Sequence, residues 1–196
     1  GQKMSTETLR NNLLTFIVAG HETTALSLAW SLYLMGFDPT AQDRARAEAQ
    51  AALGSRTATA DDLPNLPFVR AIIDEALRRY PPAGMVSRTA MADDVLGDTE
   101  IRKGDTVMIP IYALHRSHLL WDDPDAFVPD RFLERTAIQR FAYLPFGDGP
   151  RICIGASFAL QEAVLVRATL LSRFRFEAVP GYTPDPVMIL TLRPDG

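Results

Sequence analysis

One cysteine, Cys153, stands alone in 196 residues. A single thiol closes no internal disulfide, and it fits a reducing compartment. Positive charge is also short: 20 Lys and Arg face 24 Asp and Glu, for a net charge of −4. No basic footprint for nucleic acid is present. Internal repeats and low-complexity tracts are missing, which excludes solenoid and fibrous designs. The first twelve residues are polar, so no signal peptide is expected. The chain opens on Gly1 and not on Met, as a processed chain or a piece of a longer one would. What remains is ordinary: 47% hydrophobic and 22% charged residues, over a length that supports one well-buried core.

Periodicity and punctuation predict long helices and short strands. Residues 5–36 read as one helix, capped by Ser5 or Thr6 and ended by Gly36 and Pro39. It is apolar almost all round from Leu13 to Met35, which predicts burial. A membrane span is the rival reading, since about 20 apolar residues suffice. His21, Glu22, Thr23 and Thr24 in its middle argue against that. Further helices are predicted over 40–53, over 67–79 before Pro81-Pro82, and from Ala156 to about Phe174. Short strands are expected over 86–90, 95–101, 106–109, 174–179 and 187–192, and a helical turn over 112–117. Residues 118–145 read as irregular, and a stretch that long is often functional. The expected fold class is mainly α with a small β-sheet, as one domain over 1–196.

Four constellations carry chemistry. Cys153 lies in the turn Phe146-Gly147-Asp148-Gly149-Pro150-Arg151-Ile152-Cys153-Ile154-Gly155, just before a helix. Backbone N–H groups, the positive helix end and Arg151 favour an ionised sulfur. The turn alone leaves two readings open, an inert buried thiol and a reactive or metal-ligating one. Ala19-Gly20-His21-Glu22-Thr23-Thr24 puts an acid and alcohols in mid-helix. Hydroxyls there can bond carbonyls one turn back and bend the helix or open its hydrogen-bond ladder. That pattern suits a ligand groove with a proton relay, and equally a polar patch. Glu75 and Arg78 share a helix face and can pair, with Arg131 as a candidate third charge. Arg88, six residues after Pro82, could meet an anion or simply face solvent.

In this order and spacing, these features resemble the cytochrome P-450 family of heme-thiolate monooxygenases. Residues 146–155 match the family pattern F-G-x-G-x-R-x-C-x-G at every fixed position. Residues 19–24 match its [AG]-G-x-[DE]-T-[TS] helix, and Glu75 with Arg78 its E-x-x-R helix. Pro129-Asp130-Arg131-Phe132 resembles its P-E-R-F segment, with Asp130 in place of Glu.

The resemblance implies heme b (iron protoporphyrin IX), with Cys153 as the thiolate ligand of the iron. Phe146 would pack near the sulfur. Gly147 and the other turn glycines would let N–H groups approach it, and Gly155 would admit the following helix. Arg151 and Arg88 would bind the propionates, and Gly20 would leave room for oxygen and substrate. Thr23 and Glu22 would deliver protons, while Glu75, Arg78 and Arg131 would hold the fold. His115 and His118 are better explained by local hydrogen bonds than by metal ligation, His21 receives no role, and Trp121 and Tyr143 are packing residues.

Family members are roughly twice as long, so the chain resembles the C-terminal half of one, and exposed apolar surface is expected where the other half would pack. The implied activity is oxygen insertion into a small hydrophobic substrate, with a ferredoxin- or flavodoxin-type electron donor. That donor would meet Arg140, Arg151 and Arg167. The alternatives are a non-catalytic heme-binding fragment and a peroxide-driven enzyme. Ala83 to Val86 and Pro186 to Met188 are the expected substrate contacts. No membrane segment and no nucleic acid are expected, and the implied setting is soluble and cytoplasmic.

Overall fold

The computed structural model describes residues 3–195, apart from the side chain of Arg135. Among the described residues five α-helices and six short strands follow one another. α1 (Thr6–Gly36) starts at Ser5, whose Oγ accepts the N–H of Thr8 at 3.1 Å. α2 (Pro39–Leu53) starts at Asp38, whose carboxylate accepts the N–H of Ala41 at 2.9 Å. α3 (Pro67–Arg79) has Pro67 in its first turn, where no N–H is needed. Its next two N–H groups, on Phe68 and Val69, donate to the Glu48 carboxylate of α2 at 2.9 and 2.8 Å. The cap of α3 is therefore supplied across a helix–helix interface, which no local sequence signal announces.

After α3 come β1 (Val86–Thr89), β2 (Asp94–Leu96), β3 (Thr99–Ile101), β4 (Thr106–Ile109) and α4 (Ile111–Leu114). α5 (Ala156–Arg173) follows the cysteine turn, and β5 (Pro186–Met188) and β6 (Leu192–Pro194) close the chain. The fold is mainly α with a small β part, as expected. The β part forms three antiparallel two-stranded ladders: β1 with β4, β2 with β3, and β5 with β6.

Two segments differ from the expected strands because the chain folds back inside them. Residues 95–101 turn at Gly97, whose φ of +61° suits a residue without Cβ, and so become the β2–β3 hairpin. Residues 187–192 bend between β5 and β6 in the same way. Residues 174–179 form no strand. The N–H and C=O of Phe176 are taken by the Gln42 side chain, at 2.6 and 2.8 Å, so no strand partner is needed.

The core lies between α2, α3, α5 and the second half of α1. Leu66, Val69, Ile72, Ile73, Ala168 and Leu171 are fully buried there. The burial expected from Leu13 to Met35 holds only from Thr24 onward. Leu13, Phe16, Ile17 and Val18 are 52–69% exposed. No helix among the described residues is long and apolar enough to cross a membrane.

Candidate functional site around Cys153 and the Gly20–Thr24 stretch of α1

The irregular segment before Cys153 is anchored on α3. Arg78 and Glu75 are wholly buried and paired through two hydrogen bonds, at 2.7 and 2.8 Å. Burying such a pair is costly unless its remaining donors and acceptors are filled. Here they are. Arg78 also donates to the carbonyls of His115, Pro124 and Ala126, at 2.8, 2.8 and 3.0 Å. Glu75 also accepts the N–H of Val128 at 2.9 Å. Arg131 joins as the third charge, its Nε 3.7 Å from Glu75, while its Nη2 donates to the Asp123 carbonyl at 2.8 Å. Asp130 points elsewhere and pairs with Arg44 on the surface.

His115 extends this lattice toward the cysteine turn. Its Nδ1 donates to the Arg78 carbonyl at 3.1 Å, and its Nε2 accepts the N–H of Leu144 at 2.8 Å. That arrangement requires the neutral ring with its proton on Nδ1. Burial holds the imidazole pKa down, to about 4. Tyr143 donates to Asp74 of α3 at 3.0 Å and packs against Phe132 with the rings tilted, centroids 4.7 Å apart. Trp121 is buried beside Phe132. Trp121 and Tyr143 pack as expected, whereas the hydrogen bonds of His115 are long-range and not the local ones expected.

The turn then closes on itself. The N–H of Cys153 donates to the Phe146 carbonyl at 2.9 Å, and that of Ile152 to the Gly149 carbonyl at 3.1 Å. Gly147 and Gly149 have φ of +70° and +73°, which a side chain would strain. Phe146 is half-buried against the core and fixes the base of the turn. Cys153 is exposed, so the inert buried thiol is not what folds here. A Cβ at Gly155 would lie 3.9 Å from its sulfur, an ordinary contact.

Cys153 opens onto a cavity of about 1260 Å³. Phe146, Gly147, Arg151 and Gly155 of the turn line it too, as does Arg88 of β1. From α1 the wall takes Gly20, Thr23, Thr24 and Ser27, a stripe at helical spacing. α1 runs through this stretch without a break, so the ladder opening expected at Gly20 does not occur. The hydroxyl contact does: Thr23 donates to the Ala19 carbonyl at 2.7 Å.

Most of the remaining surface is apolar. Ile154 and Phe158, at 85% and 71% exposure, present bare hydrocarbon to it. Neither Arg88 nor Arg151 forms an ion pair among the described residues; Arg88 bonds only the Ser87 carbonyl, at 2.8 Å. An exposed soft ligand, two uncommitted guanidinium groups and an apolar floor fit a flat hydrophobic cofactor that carries a metal and two carboxylates.

The sequence model of the family "Cytochrome P450" matches residues 1–195. The chain belongs to the cytochrome P450 family. A putative cytochrome P450 132 of Mycobacterium bovis is 46% identical over 187 residues, covering 95% of this chain and 41% of that protein. A cytokinin hydroxylase of Arabidopsis thaliana is 42% identical over 182 residues, 92% of this chain and 35% of that protein. A cyclooctat-9-en-7-ol 5-monooxygenase of Streptomyces melanosporofaciens is 41% identical over 175 residues, 88% of this chain and 38% of that protein. The chain spans about two fifths of the length of these relatives. Membership of the P450 family implies heme with a thiolate ligand to its iron, and Cys153 is the one thiol present.

Three sequence expectations about the site change. Glu22 does not line the cavity beside Thr23. Its side chain turns to the end of the chain, where Thr191 donates to it at 2.8 Å. Arg167 is fully buried on the face of α5 that packs on α1, bonded to Leu28 O and Ser31 Oγ, and so leaves the expected docking surface. Pro186 to Met188 lie off the cavity wall, because Met188 packs against Gly84. Thr24, Ser27, His21 and Phe158 are wall residues without an assigned role in the sequence reading. For Thr24 and Ser27 the signal was available, since they follow Gly20 at i+4 and i+7.

Proposed function

We propose that the full-length protein is a heme-thiolate monooxygenase, of which this chain is the single C-terminal, heme-holding unit. One oxygen atom of O2 enters a C–H bond of a small hydrophobic molecule. The other leaves as water, with two electrons from a ferredoxin- or flavodoxin-type donor and two protons from solvent. The observation that carries this reading is the exposed thiol of Cys153 on an apolar cavity shared with Thr23 and two uncommitted arginines. Relatives named a monooxygenase and a hydroxylase support the reaction class.

When bound, heme b supplies an iron centre whose capacity to cleave O–O bonds the thiolate raises. Cys153 supplies that thiolate, and the closed Phe146–Cys153 turn fixes its position. Arg88 and Arg151 each offer a guanidinium fork to a propionate. Gly20 keeps the α1 wall low, and its added Cβ would meet nothing. Thr23 holds a hydroxyl on the wall, and the Glu22 carboxylate, held beside Thr191 off that wall, reaches it through solvent water. Ala83 and Val86 add apolar wall, which favours a hydrocarbon-rich substrate and excludes water.

Arg140 and Arg151 are exposed near the cysteine turn and attract an acidic donor surface. A cytoplasmic setting goes with the free thiol. The exposed apolar half of α1 favours a second reading for this chain by itself, a heme-binding piece without turnover.

The test is the carbon monoxide difference spectrum of the reduced, heme-loaded full-length protein. A strongly red-shifted Soret band of thiolate type, lost in Cys153→Ser, is expected. A histidine-type band would overturn the assignment of Cys153.

A further inference from the structure

We infer that Thr191 is a positioning residue for the Glu22 carboxylate, and that the β5–β6 hairpin exists in part to present it. The inference rests on the proposed monooxygenase reading for its consequence, though not for the contact itself.

Thr191 Oγ1 donates to Glu22 Oε1 at 2.8 Å, across 169 residues of chain. Glu22 sits on an exposed stretch of α1 and forms no ion pair among the described residues. A free glutamate there would sample many rotamers. Thr191 is 9% exposed and cannot follow such motion, because its neighbour is locked. The N–H of Leu192 donates to the Pro82 carbonyl at 2.9 Å. The carbonyl of Leu192 accepts the indole N–H of Trp30 at 3.1 Å. Trp30 is itself buried and stacked on Tyr80, with ring centroids 3.9 Å apart. At the other strand, Met188 covers Gly84 so closely that an added Cβ would lie 2.0 Å from its terminal methyl.

Glu22 and Trp30 are eight residues apart, close to two turns of α1, so the hairpin touches one stripe of that helix at two heights. The second contact fixes the first. The carboxylate is thereby parked beside the hairpin tip, one residue behind Thr23, and kept off the cavity wall.

The residue type matters. A hydroxyl donates to an ionised carboxylate and accepts from a protonated one. Thr191 can therefore hold Glu22 in both states, while the carboxyl passes protons toward Thr23 through solvent water and is recharged from it. Valine has the same shape and neither capacity, whereas serine keeps both.

The experiment uses the full-length protein with Thr191→Val, Thr191→Ser and Glu22→Gln. In isotope-edited infrared spectra of the heme-free protein, the Glu22 carboxylate stretch, assigned by its loss in Glu22→Gln, shifts in Thr191→Val and returns in Thr191→Ser. In the heme-loaded enzyme, product formed per electron pair falls about fivefold in Thr191→Val, the factor that one ordinary hydrogen bond represents. Peroxide rises to match, KM is unchanged, and Thr191→Ser recovers. Adding Thr191→Val to Glu22→Gln changes nothing further. An unshifted carboxylate band, or coupling equal to that of the unsubstituted enzyme, overturns the inference. Loss of KM together with coupling in both Thr191 variants also overturns it, in favour of plain packing. A missing thiolate band in the unsubstituted protein overturns the proposed function instead, and the infrared arm still decides whether Thr191 holds Glu22.

Discussion

The imidazole of His115 joins two parts of the site: its Nε2 accepts the N–H of Leu144 at 2.8 Å, 29 residues further along the chain. Its Nδ1 meanwhile donates to the last turn of α3. The ring thus ties the E-x-x-R helix to the entrance of the cysteine turn, and it does so only while neutral.

Acid should loosen this tie. The folded pKa of His115 is lowered to about 4, against about 6.5 in an unfolded chain. Between those values the unfolded state takes up a proton that the folded state refuses. The contribution is therefore full above pH 6.5, falls as pH drops, and is gone by pH 4, for a loss on the order of 1–3 kcal/mol. Urea midpoints measured from pH 7.5 to 4.5 should fall, and His115→Gln should flatten that part of the profile. An unchanged slope would remove His115 as the cause.

Breaking the α3 pair should be far worse than removing a surface pair. Arg78→Ala leaves the Glu75 carboxylate buried and unmatched and strips three carbonyls of their donor. A loss of about 3–5 kcal/mol is expected, enough to unfold a domain of ordinary stability. Arg78→Lys keeps the charge but cannot serve Glu75 and three carbonyls through one ammonium. Arg44→Ala, which removes the exposed pair with Asp130, should cost under about 1 kcal/mol. Thermal unfolding of the three variants orders these expectations.

Arg167 should be replaceable to advantage. Its guanidinium is buried, with Nε and Nη1 unpaired among the described residues, and burial lowers its pKa to about 9. Leu28 O also receives the hydroxyl of Ser31 at 2.9 Å, so it loses little when the arginine goes. Arg167→Met fills the space without a charge and should raise stability by about 1–3 kcal/mol. A lower melting temperature in that variant would mean that the charge has a partner beyond the described residues.

Gly147 should resist substitution. Its φ of +70° strains any residue with a Cβ, although the space around it is open. Gly147→Ala should cost about 1 kcal/mol of stability and lower heme retention, read as the heme-to-protein absorbance ratio after gel filtration. Gly20→Ala, in regular helix with open space, should leave stability unharmed.

Thr23→Ala in the full-length enzyme should divert electrons from product to peroxide by about a hundredfold, the lower end of what a positioned proton donor contributes. Product yield per reducing equivalent measures this, and intact coupling would end the proton role of Thr23.

Several features were legible from order and spacing alone: the helices α1, α3 and α5, the mainly α class, the cysteine turn and the Glu75–Arg78 pair, whose third member Arg131 was only a candidate until the family resemblance implied it. Each rests on local chemistry. Proline and glycine punctuate, i and i+3 share a face, and positive φ selects glycine. The folded chain alone decided the rest. Whether Gly97 and the 189–191 bend make hairpins depends on which strands meet. Whether 174–179 is a strand depends on Gln42, more than 130 residues earlier. Arg167 and Glu22 both read as ordinary charges in helices. Packing of α5 on α1 buries the first, and the returning hairpin captures the second. A charge is identified by sequence, but its partner is set by long-range proximity, which periodicity does not encode.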